Sequence, residues 1–217
     1  MASGAAPARE RRRYASPLRA EQAARTRAAV LEAATRLFGA KGWAGTGMRD
    51  VAKAAGVAVE TVYATFGSKT DLLLAAIDVA VVGDAEPVAL SDRTEFAGLG
   101  RGSRAARARA AAHLVRDINE RLAGIGRAFR EAAVGDDGLA RRLDEAEERR
   151  RGNVAEAAEL VAGRPVTDTE RDGLWAVVSL EVHQLLVERT GWSGEGYESW
   201  LADAIERLLR PGGRGKP

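Results

Sequence analysis

Lys69 carries the most specific chemistry in this sequence, and that chemistry is anion binding. It follows Ser68, an N-cap by residue type. Asp71 stands three positions after the serine, and Leu72, Leu73, Ala76 and Val79 continue as the apolar stripe of a helix. A cation in the first turn opposes the helix dipole by about 0.3–1 kcal/mol unless an anion lies nearby. A phosphate at that N-terminus removes the conflict; the plainer alternative is a solvated surface lysine. Bond-breaking chemistry finds no comparable support. The chain has no cysteine and two histidines, His113 and His183. It offers no pair of catalytic groups at diagnostic spacing, no metal-ligand signature and no glycine loop shaped to cradle a phosphate. The expectation is no enzyme, no metal and no cofactor.

The elements that would position Lys69 lie just before it. Residues 46–68 read TGMRDVAKAAGVAVETVYATFGS. This predicts two short helices, Met48 to Ala55 and Val59 to Phe66, joined at Gly56, which is the pattern of a helix-turn-helix. Val51 and Ala52 on the first and Val62 on the second supply small apolar contacts where the helices cross. The outward positions of the second helix are Val59, Glu60, Ala64 and Thr65. In a major groove, Val59 and Ala64 suit thymine methyls, and Glu60 suits a cytosine amine or the exclusion of wrong sites. A longer helix from about Arg19 to Lys41 precedes them, stopped by Gly42. Charge is distributed to match: residues 1–70 hold 12 Lys/Arg against 5 Asp/Glu, and the remainder holds 21 against 26. A basic first third on an acidic body points to a polyanionic partner for the first third alone.

The run from Arg27 to Leu74 resembles the N-terminal domain of the tetracycline-repressor (TetR) family. The matching pieces are AATRLFGAKGW at 33–43, MRDVAKAAGV at 48–57 and TVYATFGSKTDLL at 61–73. The resemblance implies that Thr46, Thr61, Tyr63 and Lys69 touch DNA phosphates; for Tyr63 the alternative is a core aromatic. It implies a double-stranded DNA operator, a homodimer through the last two helices, and a small-molecule effector of unknown identity. Two departures thin the phosphate contacts: Ala58 where the family commonly has Ser or a like residue, and Gly47 where it often has Thr. Their loss shifts weight to the arm carrying Arg11, Arg12 and Arg13.

Beyond a long connection at 83–102, helices are expected from Ser103 to about Ala133, Asp137 to Ala162, 169 to 189 and 196 to 210. The helix at 169–189 is apolar around most of its circumference, which predicts burial on two sides and supports a dimer independently. His113, Asn119, Phe129 and Trp175 are the candidate pocket residues, though an aromatic at helical spacing is more often plain core.

The expected fold is all-α. Its parts are a disordered basic arm (1–18), a three-helix DNA-binding domain (19–67), a helical ligand-binding and dimerisation domain (68–210) and a flexible tail (211–217). No stretch reaches the ~20 apolar residues of a membrane span, and a cytoplasmic location is expected. The function expected is a repressor released from a palindromic operator by its effector. Two alternatives stand beside it. One is a regulator without a small-molecule effector, controlled by a protein partner or by abundance. The other is an enzyme tethered to DNA, which lacks a catalytic constellation.

Overall fold

The computed structural model describes residues 17–210 apart from 85 and 87, and no strand occurs among the described residues. The arm with Arg11–Arg13 and the 211–217 tail lie outside the described residues. Helix α1 (Pro17–Lys41) opens on a proline, whose missing N–H costs nothing in a first turn, and stops at Gly42 with φ 70°. Then come α2 (Met48–Ala55), α3 (Val59–Phe66) and α4 (Lys69–Val82). Ser68 caps α4: its Oγ accepts from the Asp71 N–H at 3.0 Å and donates to the Asp71 carboxylate at 2.6 Å. Asp71 thus holds the cap hydroxyl rather than the cap backbone.

The connection after α4 is less loose than its glycines suggest. A 3₁₀ turn (Leu90–Asp92), the one-turn helix α5 (Thr94–Ala97) and a second 3₁₀ turn (Gly98–Gly100) fold it onto the body. Phe96 and Leu99 are buried there. The long helices α6 (Arg104–Val134) and α7 (Asp137–Ala162) follow, N-capped by Ser103 and Asp136.

The helix expected over 169–189 is instead broken. α8 (Asp168–Val177) starts in a Thr167/Glu170 capping box and ends at Val178. Ser179 then caps a new turn, α9 (Leu180–His183), accepting from the Val182 N–H at 3.3 Å. A π-type turn (Gln184–Arg189) carries the chain on to α10 (Gly194–Leu208). The break has a partner on α6: the Asn119 amide donates to the Val178 carbonyl at 3.3 Å. A serine able to bond its own backbone, next to a carbonyl taken up from outside, ends a helix that apolarity alone would continue.

Two apolar cores result. The first joins Phe38 of α1, Val51 of α2, Val62 of α3 and Leu73 of α4 to Ile125 and Phe129 of α6. The second gathers Phe96, Leu174, Tyr197 and Leu201 around the other half of α6. Each fully buried side chain of this size contributes about 1.5–3 kcal/mol. α6 therefore runs through both cores, and α4 packs with α1–α3 across the sequence division drawn at 67–68. Where α6 crosses α1, Gly124 meets Gly39 so closely that a Cβ on Gly124 would lie 2.7 Å from the Gly39 Cα. Nearby, the Arg121 guanidinium donates to the Ala80 and Val81 carbonyls at 2.7 and 3.2 Å, holding the end of α4.

Candidate nucleic-acid interface

α2 and α3 pack through Val51, Ala52, Val62 and Phe66, all buried. Between them Gly56 takes φ 69°, and the Val57 N–H returns to the Ala52 carbonyl at 3.0 Å, closing the turn. With Val62 and Phe66 turned inward, α3 presents Glu60, Tyr63, Ala64 and Thr65 to solvent. Tyr63, at 51% exposed, is among the large apolar side chains left outside the core. Val59 is partly packed against the first core and Thr61 is half-buried, so both present less surface than the outward positions expected for them. Thr65 Oγ donates back to the Thr61 carbonyl at 2.7 Å. No side chain caps α3, because its N-cap is Ala58.

Thr46 departs from expectation. It is 1% exposed, and its hydroxyl is turned toward the Gly42 and Leu37 carbonyls at 2.9 and 3.1 Å. The Gly42 carbonyl lies just past the end of α1, where intrahelical donors run out, and the threonine hydroxyl is within donating distance of it. Its side chain is committed inside the protein, which removes the basis for a phosphate contact from it.

Lys69 stands in the first turn of α4, as expected, but not free in solvent. Its Nζ donates to the Trp43 carbonyl at 2.6 Å and lies 4.0 Å from the centroid of the Trp43 ring. Burial lowers its pKa from the ordinary lysine value, and the Glu131 carboxylate opposes that shift. Three cationic groups were not singled out from sequence. Arg49 and Lys53 are exposed on α2, four residues apart and so on one face. Arg27 of α1 stacks over Phe66 with 4.6 Å to the ring centroid. The i, i+4 spacing of the first two was a readable signal.

The four candidate pocket residues are not brought together. His113 is exposed and faces Asp117 and Glu198, in an open cleft of about 540 Å³ between α6 and α10. Asn119 is buried and donates to the Tyr197 hydroxyl at 3.2 Å. Phe129 belongs to the first core, on the DNA-binding side. Trp175 lies under the guanidinium groups of Arg150 and Arg151, at 4.8 and 5.8 Å. His183 is 2% exposed, edge-on to Tyr197 at 5.0 Å, and neither ring nitrogen has a hydrogen-bond partner. The Trp175 indole N–H is also buried without one. Burial lowers the His183 pKa, with Glu120 and Glu188 acting against it. No cluster of three or more potential metal ligands occurs among the described residues, and no described helix is long and apolar enough to cross a membrane.

Two short helices at a glycine turn, the second offering an uncapped and solvent-facing surface, form a helix-turn-helix. Residues 30–76 match the family model for bacterial regulatory proteins of the tetR family. The chain as a whole is similar to a solved structure from Mesorhizobium loti described as a TetR-family transcriptional regulator. The TM-score is 0.65 at 20% identity, covering 87% of this chain and 96% of that one. A TetR-family structure from a Rhodococcus species gives 0.64 at 21%, with 85% and 98% covered. The TetR-like regulator LfrR from Mycobacterium smegmatis, solved in complex with proflavine, gives 0.52 at 21%, with 89% and 97% covered. At these identities the likeness speaks for the fold. No curated protein sequence matches the chain.

Proposed function

We propose that the protein is a dimeric repressor that lays α3 in the major groove of a palindromic operator and is released by a small-molecule effector bound in its C-terminal body. The observation that carries the DNA half is the outward face of α3: Glu60, Tyr63, Ala64 and Thr65 are exposed while Val62 and Phe66 anchor the helix behind them. Tyr63, Thr61 and Lys69 serve as phosphate contacts; Glu60, Ala64 and Thr65 read base edges, with Val59 at the margin. Selection of bound duplexes from a random library tests this, with an enriched two-fold symmetric site as the expected result. Recovery of no sequence preference would overturn it.

The dimer half is supported by exposed apolar side chains near the last helices. Leu185 is 52% and Trp192 38% exposed, and Trp192 meets Trp200 of α10 edge-on at 6.0 Å. A two-fold axis there would relate two copies of α3, and hence two half-sites. The effector half is supported by the buried, unpartnered nitrogens of His183 and Trp175, and by the proflavine bound in the structure of LfrR. Release requires the effector to bind the two states of the protein with affinities differing by about 1–3 kcal/mol. A metabolite panel scored by duplex release tests it.

A second reading, regulation by a protein partner or by abundance, is favoured by one observation. Two cavities of about 540 and 410 Å³ are open surface clefts lined largely by charged side chains. Duplex occupancy that responds to no small molecule but shifts with a co-purifying protein is its signature.

A further inference from the structure

The Trp43–Ala44 peptide, in the loop between α1 and α2, is held at both ends by charged side chains from elsewhere. Its N–H donates to one carboxylate oxygen of Glu131, on α6, at 3.1 Å, while the Trp43 N–H donates to the other at 2.8 Å. Its carbonyl accepts from Lys69, on α4, at 2.6 Å. A carboxylate on the N–H polarises the peptide and makes the opposite carbonyl a stronger acceptor. Glycine makes this approach possible: a Cβ on Gly42, itself at φ 70°, would lie 2.6 Å from the Glu131 carboxylate. An ammonium has three donors. One is spent on the Trp43 carbonyl and the ammonium rests over the Trp43 ring, which leaves its outward N–H for an incoming anion.

We propose that Glu131 is a positioning residue for DNA binding. Acting through the Trp43–Ala44 peptide, it sets the Lys69 ammonium where its outward N–H meets a backbone phosphate. The inference rests on reading Lys69 as a phosphate contact. Glu131 also opposes the loss of the lysine's proton that burial promotes. The sign of its effect separates positioning from plain electrostatics. Removing a carboxylate close to a polyanion should tighten binding if charge alone matters, and should weaken it if Lys69 depends on the carboxylate for its place.

The test uses the full chain and a duplex selected by the wild-type protein, with affinity measured across a potassium chloride series. Glu131→Ala is expected to weaken binding about tenfold and to lower the salt slope by about one, the signature of one lost phosphate contact. Glu131→Gln should fall between, since one amide oxygen replaces two acceptors. Lys69→Ala should weaken binding at least as much, and Glu131→Ala added to Lys69→Ala should cost nothing more. Glu131 is exposed, so the variants should keep the wild-type helical spectrum. Equal or tighter binding by Glu131→Ala, or additive losses in the double variant, overturns the proposal. An unchanged affinity for Lys69→Ala alone removes instead the phosphate reading on which it rests.

Discussion

Tyr63 is the side chain on α3 whose removal should separate binding from folding. With half its surface exposed, its truncation to alanine should change stability by less than about 0.5 kcal/mol. Duplex affinity should fall about tenfold, with a shallower salt dependence; titration of a labelled duplex beside a thermal melt measures both. His183 makes the opposite case, a buried group that matters for stability. Its pKa in the fold is pushed below the ordinary 6.5 by burial. The unfolded chain therefore takes a proton that the folded chain refuses, and stability is lost as pH falls below that value. Denaturant midpoints should drop between about pH 7.5 and about pH 5.5, and His183→Phe should flatten that slope while keeping a ring against Tyr197. The outward set Glu60, Ala64 and Thr65 was legible in the sequence, because Val62 and Phe66 fix the phase of a 3.6-residue period. Thr46 and Lys69 were legible as residues but not in their surroundings. Thr46 is engaged by carbonyls four and nine positions back, through a turn its sequence did not announce, whereas the tryptophan that engages Lys69 lies 26 positions away and is brought close by the tertiary fold.

Among the elements, helix ends were the readable part and helix continuity was not. Ser68 and Ser103 cap where the sequence placed helix starts, and Thr167 and Ser193 cap the later helices with the same chemistry. The break at Val178–Ser179 escaped notice because one of its causes, Asn119, lies 59 residues away. The glycines of the helices divide in the same manner, by what faces them. Gly152 in α7 has open space around an added Cβ, so Gly152→Ala should raise stability by about 0.5–1 kcal/mol. Gly124→Ala would drive a methyl into the backbone of α1 and should lower stability by about 1–3 kcal/mol. Parallel urea titrations of the two variants give both signs in one experiment, and equal shifts would contradict the close crossing.

At the scale of the whole molecule, the proposed dimer gives the exposed apolar side chains Leu185 and Trp192 an occupation. Leu185→Glu should shift sedimentation from dimer to monomer and cut affinity for a two-fold symmetric duplex about a hundredfold, with affinity for a single half-site little changed. The crossing of Gly39 and Gly124 bears on how the halves move together. Two backbones this close leave no room to come nearer, so the crossing is a fixed point of contact between α1 and α6, a pin. Arg121, which grips the end of α4, lies three residues to one side of the pin, and Glu131, which grips the loop before α2, lies seven to the other. At 1.5 Å of rise per residue the two arms measure roughly 4.5 and 10.5 Å. One short stretch of α6 therefore holds both the end of α4 and the α1–α2 loop, with the close crossing between the two grips.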